Sequence, residues 1–248
     1  MQINVFQTVE KLNEFAAEKF IEIGSDAIKK RKQFTVALAG GSTPKSLYQL
    51  LALENYRNKL DWSSVFFFFS DERNVPPDNV ESNFRMADEN LFQLLKIHEE
   101  NIYRWHTDFG DEKAIAEDYE TKIMDFFDLS ENQFPNFDLI LLGIGDDGHT
   151  ASLFPDTKAL KETEKIVVEN YVEKLKTWRY TFSFPSINNA ENIIFLVKGK
   201  GKSETLKQVL EGEFQPEKFP SQKVSPNNGK LFWLLESDAA GLLGKQIK

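Results

Sequence analysis

The sequence predicts an α/β protein with a doubly wound, mostly parallel sheet and helices on both faces. Compact apolar runs of strand length recur along the chain, amphipathic helical patterns separate them, and glycine-rich or charged segments follow the runs where βα loops belong.

Val9, Leu12, Phe15, Ala16, Phe20 and Ile23 recur at helical spacing, so the first thirty residues read as one long helix ending near Arg31 and covering a sheet face. The runs at 34–39, 65–69, 138–142, 193–197 and 231–235 are compact and apolar instead of alternating, as expected of parallel strands buried on both sides. Helical patterns at 44–53, 82–95, 112–127 and 202–210 complete βαβ units. Residues 179–184 place Tyr180, Phe182 and Phe184 on one face and suggest an additional strand. The segment 214–228 holds Pro216, Pro220 and Pro226 and reads as an ordered loop. No repeat or low-complexity linker divides the chain, so one domain is expected over residues 1–248.

A formal charge of −9 without a Lys/Arg-rich run argues against nucleic acid or an anionic membrane surface as the main partner, so an anionic ligand must be held locally. The absence of cysteine removes disulfides and thiolate metal sites. Residues 1–10 carry charge and lack a signal-like apolar stretch, and no run of about eighteen apolar residues occurs, so a soluble cytoplasmic protein is expected.

In open α/β sheets, ligands bind beyond the carboxyl ends of the strands. Three segments lie there. In Gly40-Gly41-Ser42-Thr43-Pro44 the glycines permit a tight turn, Thr43 is a candidate cap, and Pro44 suits the first helical position. Free N–H groups at such a helix start, with the Ser42 and Thr43 hydroxyls, suit a phosphate monoester; an ordinary βα turn is the competing reading. Ser42 lacks the G-x-S-x-G setting of a nucleophile. Next, Asp71, Glu72 and Arg73 crowd two carboxylates beside a guanidinium, suited to binding a polar substrate or to a mutually paired solvated loop.

The third segment, 143–155, contains Gly143, Gly145, Asp146, Asp147, Gly148 and His149. His149 is the candidate acid/base and Asp147 its orienting carboxylate, whereas His98 and His106 read as surface residues. The three histidines are too scattered for a metal site. The G-x-G-x-x-G spacing, with Glu169 downstream, also fits a dinucleotide loop, but Asp146 and Asp147 oppose a pyrophosphate there and Pro155 interrupts the required helix. Arg179 and Lys202 supply cations at further strand ends.

Together these segments, with Val75-Pro76, Ser82-Asn83, Phe184-Pro185, Asn188-Asn189-Ala190, 199–202 and 229–233, resemble the 6-phosphogluconolactonase family within the wider glucosamine-6-phosphate isomerase/deaminase fold group. The resemblance implies a modified Rossmann-like fold and hydrolysis of 6-phosphoglucono-1,5-lactone in the oxidative pentose phosphate pathway, with no cofactor. The expected partner is a small sugar-phosphate lactone, and the expected state a monomer or small homo-oligomer. In this reading Gly40, Gly41, Ser42, Thr43, Arg179 and Lys202 anchor the phosphate. His149 exchanges the proton, Asp147 orients it, Arg73 or nearby backbone N–H groups stabilise the oxyanion, and Asp71 binds hydroxyls. Phe154 stands where the related deaminases resemble one another in having a glutamate, which favours the lactonase. Asp146 is an extra negative charge beside His149 that bears on the pH optimum. A deaminase or isomerase, and a sensor without turnover, are the rival readings.

Overall fold

The computed structural model describes residues 1–244. In chain order these form β1 (Gln2–Phe6), α1 (Val9–Arg31), β2 (Phe34–Leu38), α2 (Ser42–Leu51), α3 (Glu54–Arg57), β3 (Val65–Phe69), β4 (Asp71–Arg73), α4 (Asn83–Ala87), α5 (Gln93–Leu95) and α6 (Glu112–Phe127). There follow β5 (Leu139–Leu142), β6 (Val167–Val172), β7 (Thr177–Phe182), α7 (Phe184–Asn188), β8 (Asn192–Val197), α8 (Ser203–Glu211) and β9 (Lys230–Glu236).

The apolar runs form a six-stranded sheet in the order β1-β9-β8-β5-β2-β3. Every pairing in it is parallel. Phe67, Phe68 and Phe69 of β3 are buried, each worth about 1.5–3 kcal/mol relative to exposure. Phe68 meets Phe126, Phe127 and Phe137 with ring centroids 5.1–5.9 Å apart. A second sheet, β4-β7-β6, has three strands and is antiparallel.

The strand order itself locates a crevice. From β1 to β2 and from β2 to β3 the chain moves toward one edge, whereas from β3 to β5, β5 to β8 and β8 to β9 it moves back. Right-handed crossovers then put α1 and α2 on one face and α6 and α8 on the other. The reversal falls between the neighbours β2 and β5. Loops leaving their carboxyl ends diverge there, the position where such sheets hold ligands.

Several expectations need correction. The amino terminus is a strand: Gln2–Phe6 pairs with residues 232–236, and the helix starts only at Val9 because the Thr8 hydroxyl accepts from the Lys11 N–H. The helix does end at Arg31, as expected, where Lys32 adopts a left-handed conformation at φ 64°. The strand expected from 138 begins at Leu139; Asp138 is buried and accepts from the Thr35 N–H and hydroxyl at 2.8 and 3.0 Å while pairing with Arg31. The pattern over 82–95 is interrupted by a π-helical turn, Asp88–Phe92, between α4 and α5. Of residues 179–184, 179–182 lie in β7, in the antiparallel sheet together with β6, which the sequence did not announce, whereas Ser183 caps and Phe184 opens α7. Asp71, Glu72 and Arg73 form β4 and not a loop. Glu169 lies on β6 in that same sheet, far from the role a dinucleotide carboxylate requires.

Candidate active site

A cavity of about 450 Å³ opens at the reversal. Gly40 and Gly41 reach it from the end of β2, Asp71 and Arg73 from β4, and Asp147 and His149 from the loop after β5; Arg179 of β7 and Lys202 before α8 complete the set. Ser42 and Thr43 do not line it. Ser42 is exposed at the first turn of α2 and Thr43 is buried. The cap of α2 is Gly41 at φ +98°, a backbone state open to glycine, so the capping expectation for Thr43 and the first-position expectation for Pro44 do not hold. No side chain caps this helix start, leaving backbone N–H groups for an anion.

His149 is fixed on two sides. Its Nδ1 lies 2.5 Å from Asp147 Oδ1, and its ring stacks on Phe154 with centroids 3.9 Å apart. A Cβ on Gly145 would come within 2.0 Å of Nδ1, so only glycine lets the loop backbone lie against the imidazole. With Nδ1–H donating to Asp147, Nε2 is an acceptor, and among the described residues it has no protein partner. Partial burial pushes the Asp147 carboxyl up. The hydrogen bond and charge of His149, with Lys174, outweigh this and hold it well below the usual carboxylate range.

Lys174, which sequence reasoning missed, lies 2.9 Å from Asp147 Oδ2. It sits in the turn between β6 and β7, 27 positions from Asp147, and no local pattern connects the two.

Arg73 and Arg179 are cross-strand partners of β4 and β7. Arg73 donates to the Glu81 carbonyl at 2.6 Å and Arg179 to that of Trp178 at 3.1 Å, and among the described residues neither forms an ion pair. Burial, then the charge of Arg73, lowers the Arg179 pKa from its ordinary value. Two neighbouring guanidiniums without an ion-pair partner among the described residues are a chemistry suited to an anion. Asp146 is largely exposed and pairs with Lys202 at 2.6 Å, so its extra charge beside His149 is matched.

Asp71 is buried, with Oδ2 accepting from the Ser152 hydroxyl at 2.8 Å. Glu72 belongs to the scaffold. Its carboxylate accepts from the N–H groups of Arg73, Asn83 and Phe84 and from the Ser82 hydroxyl, tying β4 to the start of α4. His98 is exposed, and His106 contacts Lys122 and Asp118 outside the cavity. Among the described residues no group of three or more His, Cys, Asp or Glu could hold a metal ion, and no helix is long and apolar enough to cross a membrane.

A family model described as glucosamine-6-phosphate isomerases/6-phosphogluconolactonase matches residues 7–233. The chain belongs to this family. A 6-phosphogluconolactonase of Synechocystis sp. is 41% identical over 213 residues, 86% of each chain. One from Nostoc sp. is 39% identical over 217 residues, 88% of each. The solved 6-phosphogluconolactonase from Trypanosoma cruzi superposes with a TM-score of 0.87 at 30% identity, covering 98% of this chain and 96% of that one. The resemblance read from the motifs is therefore a family relationship. It carries the fold class and the enzyme class, a lactone hydrolase of the 6-phosphogluconolactonase family acting in sugar-phosphate metabolism.

Proposed function

We propose that this chain hydrolyses 6-phosphoglucono-1,5-lactone to 6-phosphogluconate with His149 as general base and then general acid. The observation that carries the reading is the oriented imidazole, with Nδ1 2.5 Å from Asp147 Oδ1 and Nε2 open, in a cavity shared with two guanidiniums lacking ion-pair partners.

The 6-phosphate is held by backbone N–H groups of the Gly40–Gly41 turn before α2 with Arg179 and Lys202, fixing the lactone carbonyl near His149. His149 Nε2 takes a proton from water as the water oxygen bonds to C1, and the carbonyl π electrons move onto its oxygen. Arg73 or nearby backbone N–H groups stabilise that oxyanion. When the carbonyl re-forms, the bond from C1 to the ring oxygen breaks and the imidazolium returns the proton to that oxygen, leaving the acid and a free hydroxyl. Asp71 binds a substrate hydroxyl. Apolar Phe154 stacked on the base offers no carboxyl group for the ring chemistry of a deaminase.

The test is lactone disappearance above the spontaneous background. His149→Ala should lower kcat by about 10²-fold or more, with binding of 6-phosphogluconate retained. Undiminished turnover in the variant overturns the assignment of the base, and ammonia release from glucosamine 6-phosphate by the natural chain overturns the reaction.

A further inference from the structure

Asp147 divides its two oxygens between two elements. Oδ1 faces the imidazole at 2.5 Å and the His149 N–H at 3.3 Å, while Oδ2 accepts from Lys174 Nζ at 2.9 Å. Lys174 comes from the turn Glu173–Leu175, which joins the strands of the antiparallel sheet, so this ion pair ties that sheet to the loop carrying the base. Asp147, Phe154 and Lys174 form the partition between the active-site cavity and a second cavity of about 790 Å³.

We propose that Lys174 is a positioning residue of this site: it fixes Asp147 so that Oδ1 orients His149, and it offsets the carboxylate charge so that the imidazole starts turnover as a base. The proposal rests on the general-base reading of His149 given above. An unbalanced carboxylate against an imidazole stabilises the protonated ring. A general base needs the opposite, because only the neutral ring can accept a proton from water. An acidic partner alone would improve orientation at the expense of basicity. A cation on the far oxygen preserves the first effect while weakening the second.

The remaining charges around the base do not duplicate Lys174. Asp146 and Lys202 neutralise one another at 2.6 Å. Asp71 is engaged by Ser152 and Asn83, and Arg73 and Arg179 stand on the β4 and β7 wall of the cavity. Among the described residues Lys174 is the lysine or arginine in contact with Asp147 itself. Its side chain is 68% exposed, so the pair contributes little to stability, and loss of Lys174 should register in catalysis and titration instead of in unfolding.

The experiment compares the natural chain with Lys174→Met, which keeps the apolar stem and removes the charge, and Lys174→Arg, which restores it. Two readouts are taken at low salt: the NMR titration midpoint of the His149 ring protons, assigned by their loss in His149→Gln, and the acid limb of the pH dependence of kcat/KM. In Lys174→Met both should move to higher pH by about half a unit, with an unchanged unfolding temperature. Lys174→Arg should return both toward the natural values, and high salt should shrink the difference. An unmoved midpoint in Lys174→Met overturns the role of Lys174 and leaves the lactonase reading standing. A midpoint that moves while the acid limb does not upholds the coupling of Lys174 to the imidazole and overturns His149 as the base.

Discussion

Phe154 lies almost flat on His149, with ring centroids 3.9 Å apart and planes inclined by 25°. The stack blocks rotation of the imidazole about the direction that its hydrogen bond to Asp147 leaves free. Phe154→Leu keeps an apolar side chain but loses the flat face. Steady-state kinetics should show kcat reduced about tenfold with little change in KM, because misplacing a reacting group is felt after binding. An unchanged kcat means that Asp147 alone sets the ring.

Gly145 confines the same ring from the backbone side. A methyl group there would meet His149 Nδ1 at 2.0 Å and must displace the ring from Asp147. Gly145→Ala should fold, since the cost falls on one movable side chain, yet lose about 100-fold in kcat. Circular dichroism and kcat measured on the same preparation separate this outcome from simple unfolding.

Asp147 allows a pH prediction. Its carboxyl is held below the ordinary carboxylate range in the folded chain, so it stabilises fully above about pH 4 and loses that contribution as pH falls through the folded value. Denaturation of the natural chain and Asp147→Asn should therefore give a stability difference that narrows as the pH falls from about 5 toward 3. Because Asp147 stays ionised above about pH 5, its own protonation does not produce an acid limb of activity near neutrality. If the stability gap widens on acidification, the native pairing of Asp147 is wrong.

Glu72 shows why a crowded charged triplet is ambiguous in a sequence. Both of its oxygens accept from backbone N–H groups, Oε1 from Arg73 and Asn83 and Oε2 from Phe84. An amide in its place must turn an NH₂ toward one of these donors. Glu72→Gln should therefore destabilise the fold by about 1–3 kcal/mol, read as a lowered unfolding temperature, although the substitution is nearly isosteric. Equal stability would show that these backbone bonds to Glu72 are dispensable for the fold.

The parallel strands were legible because burial on both faces writes itself as a continuous apolar run, and the loop holding His149 was legible because glycines and a histidine follow such a run. β1 was not, since five residues at the sheet edge carry too short a pattern against the strong helical period beginning at Val9. β6 escaped because its small antiparallel sheet is partly exposed, leaving Asn170 buried and Tyr171 outward in place of a uniform run. The backbone partners of Glu72 and the second partner of Asp147 were invisible for a different reason. A carboxylate's role depends on which donors the fold brings to it, and Lys174 and Asn83 reach theirs only through strand pairing and helix placement.

Arg73 and Arg179 face one another across β4 and β7, and the roles proposed for them differ. Arg179 is assigned to the phosphate, whose charge is present in the ground state and the transition state alike. Arg179→Met should therefore raise KM for the phosphorylated lactone by about 10- to 100-fold, the equivalent of one charged hydrogen bond, with a smaller effect on kcat. Glucono-1,5-lactone lacks the phosphate, so its kcat/KM should hardly change. Arg73 is assigned to the oxyanion, which exists only as water adds to C1. Arg73→Met should lower kcat for both lactones by a similar factor and leave KM nearly constant. Measuring both variants on both lactones decides the matter: if Arg73→Met acts only on the phosphorylated substrate, the two guanidiniums form one phosphate clamp and the oxyanion falls to backbone N–H groups of the His149 loop.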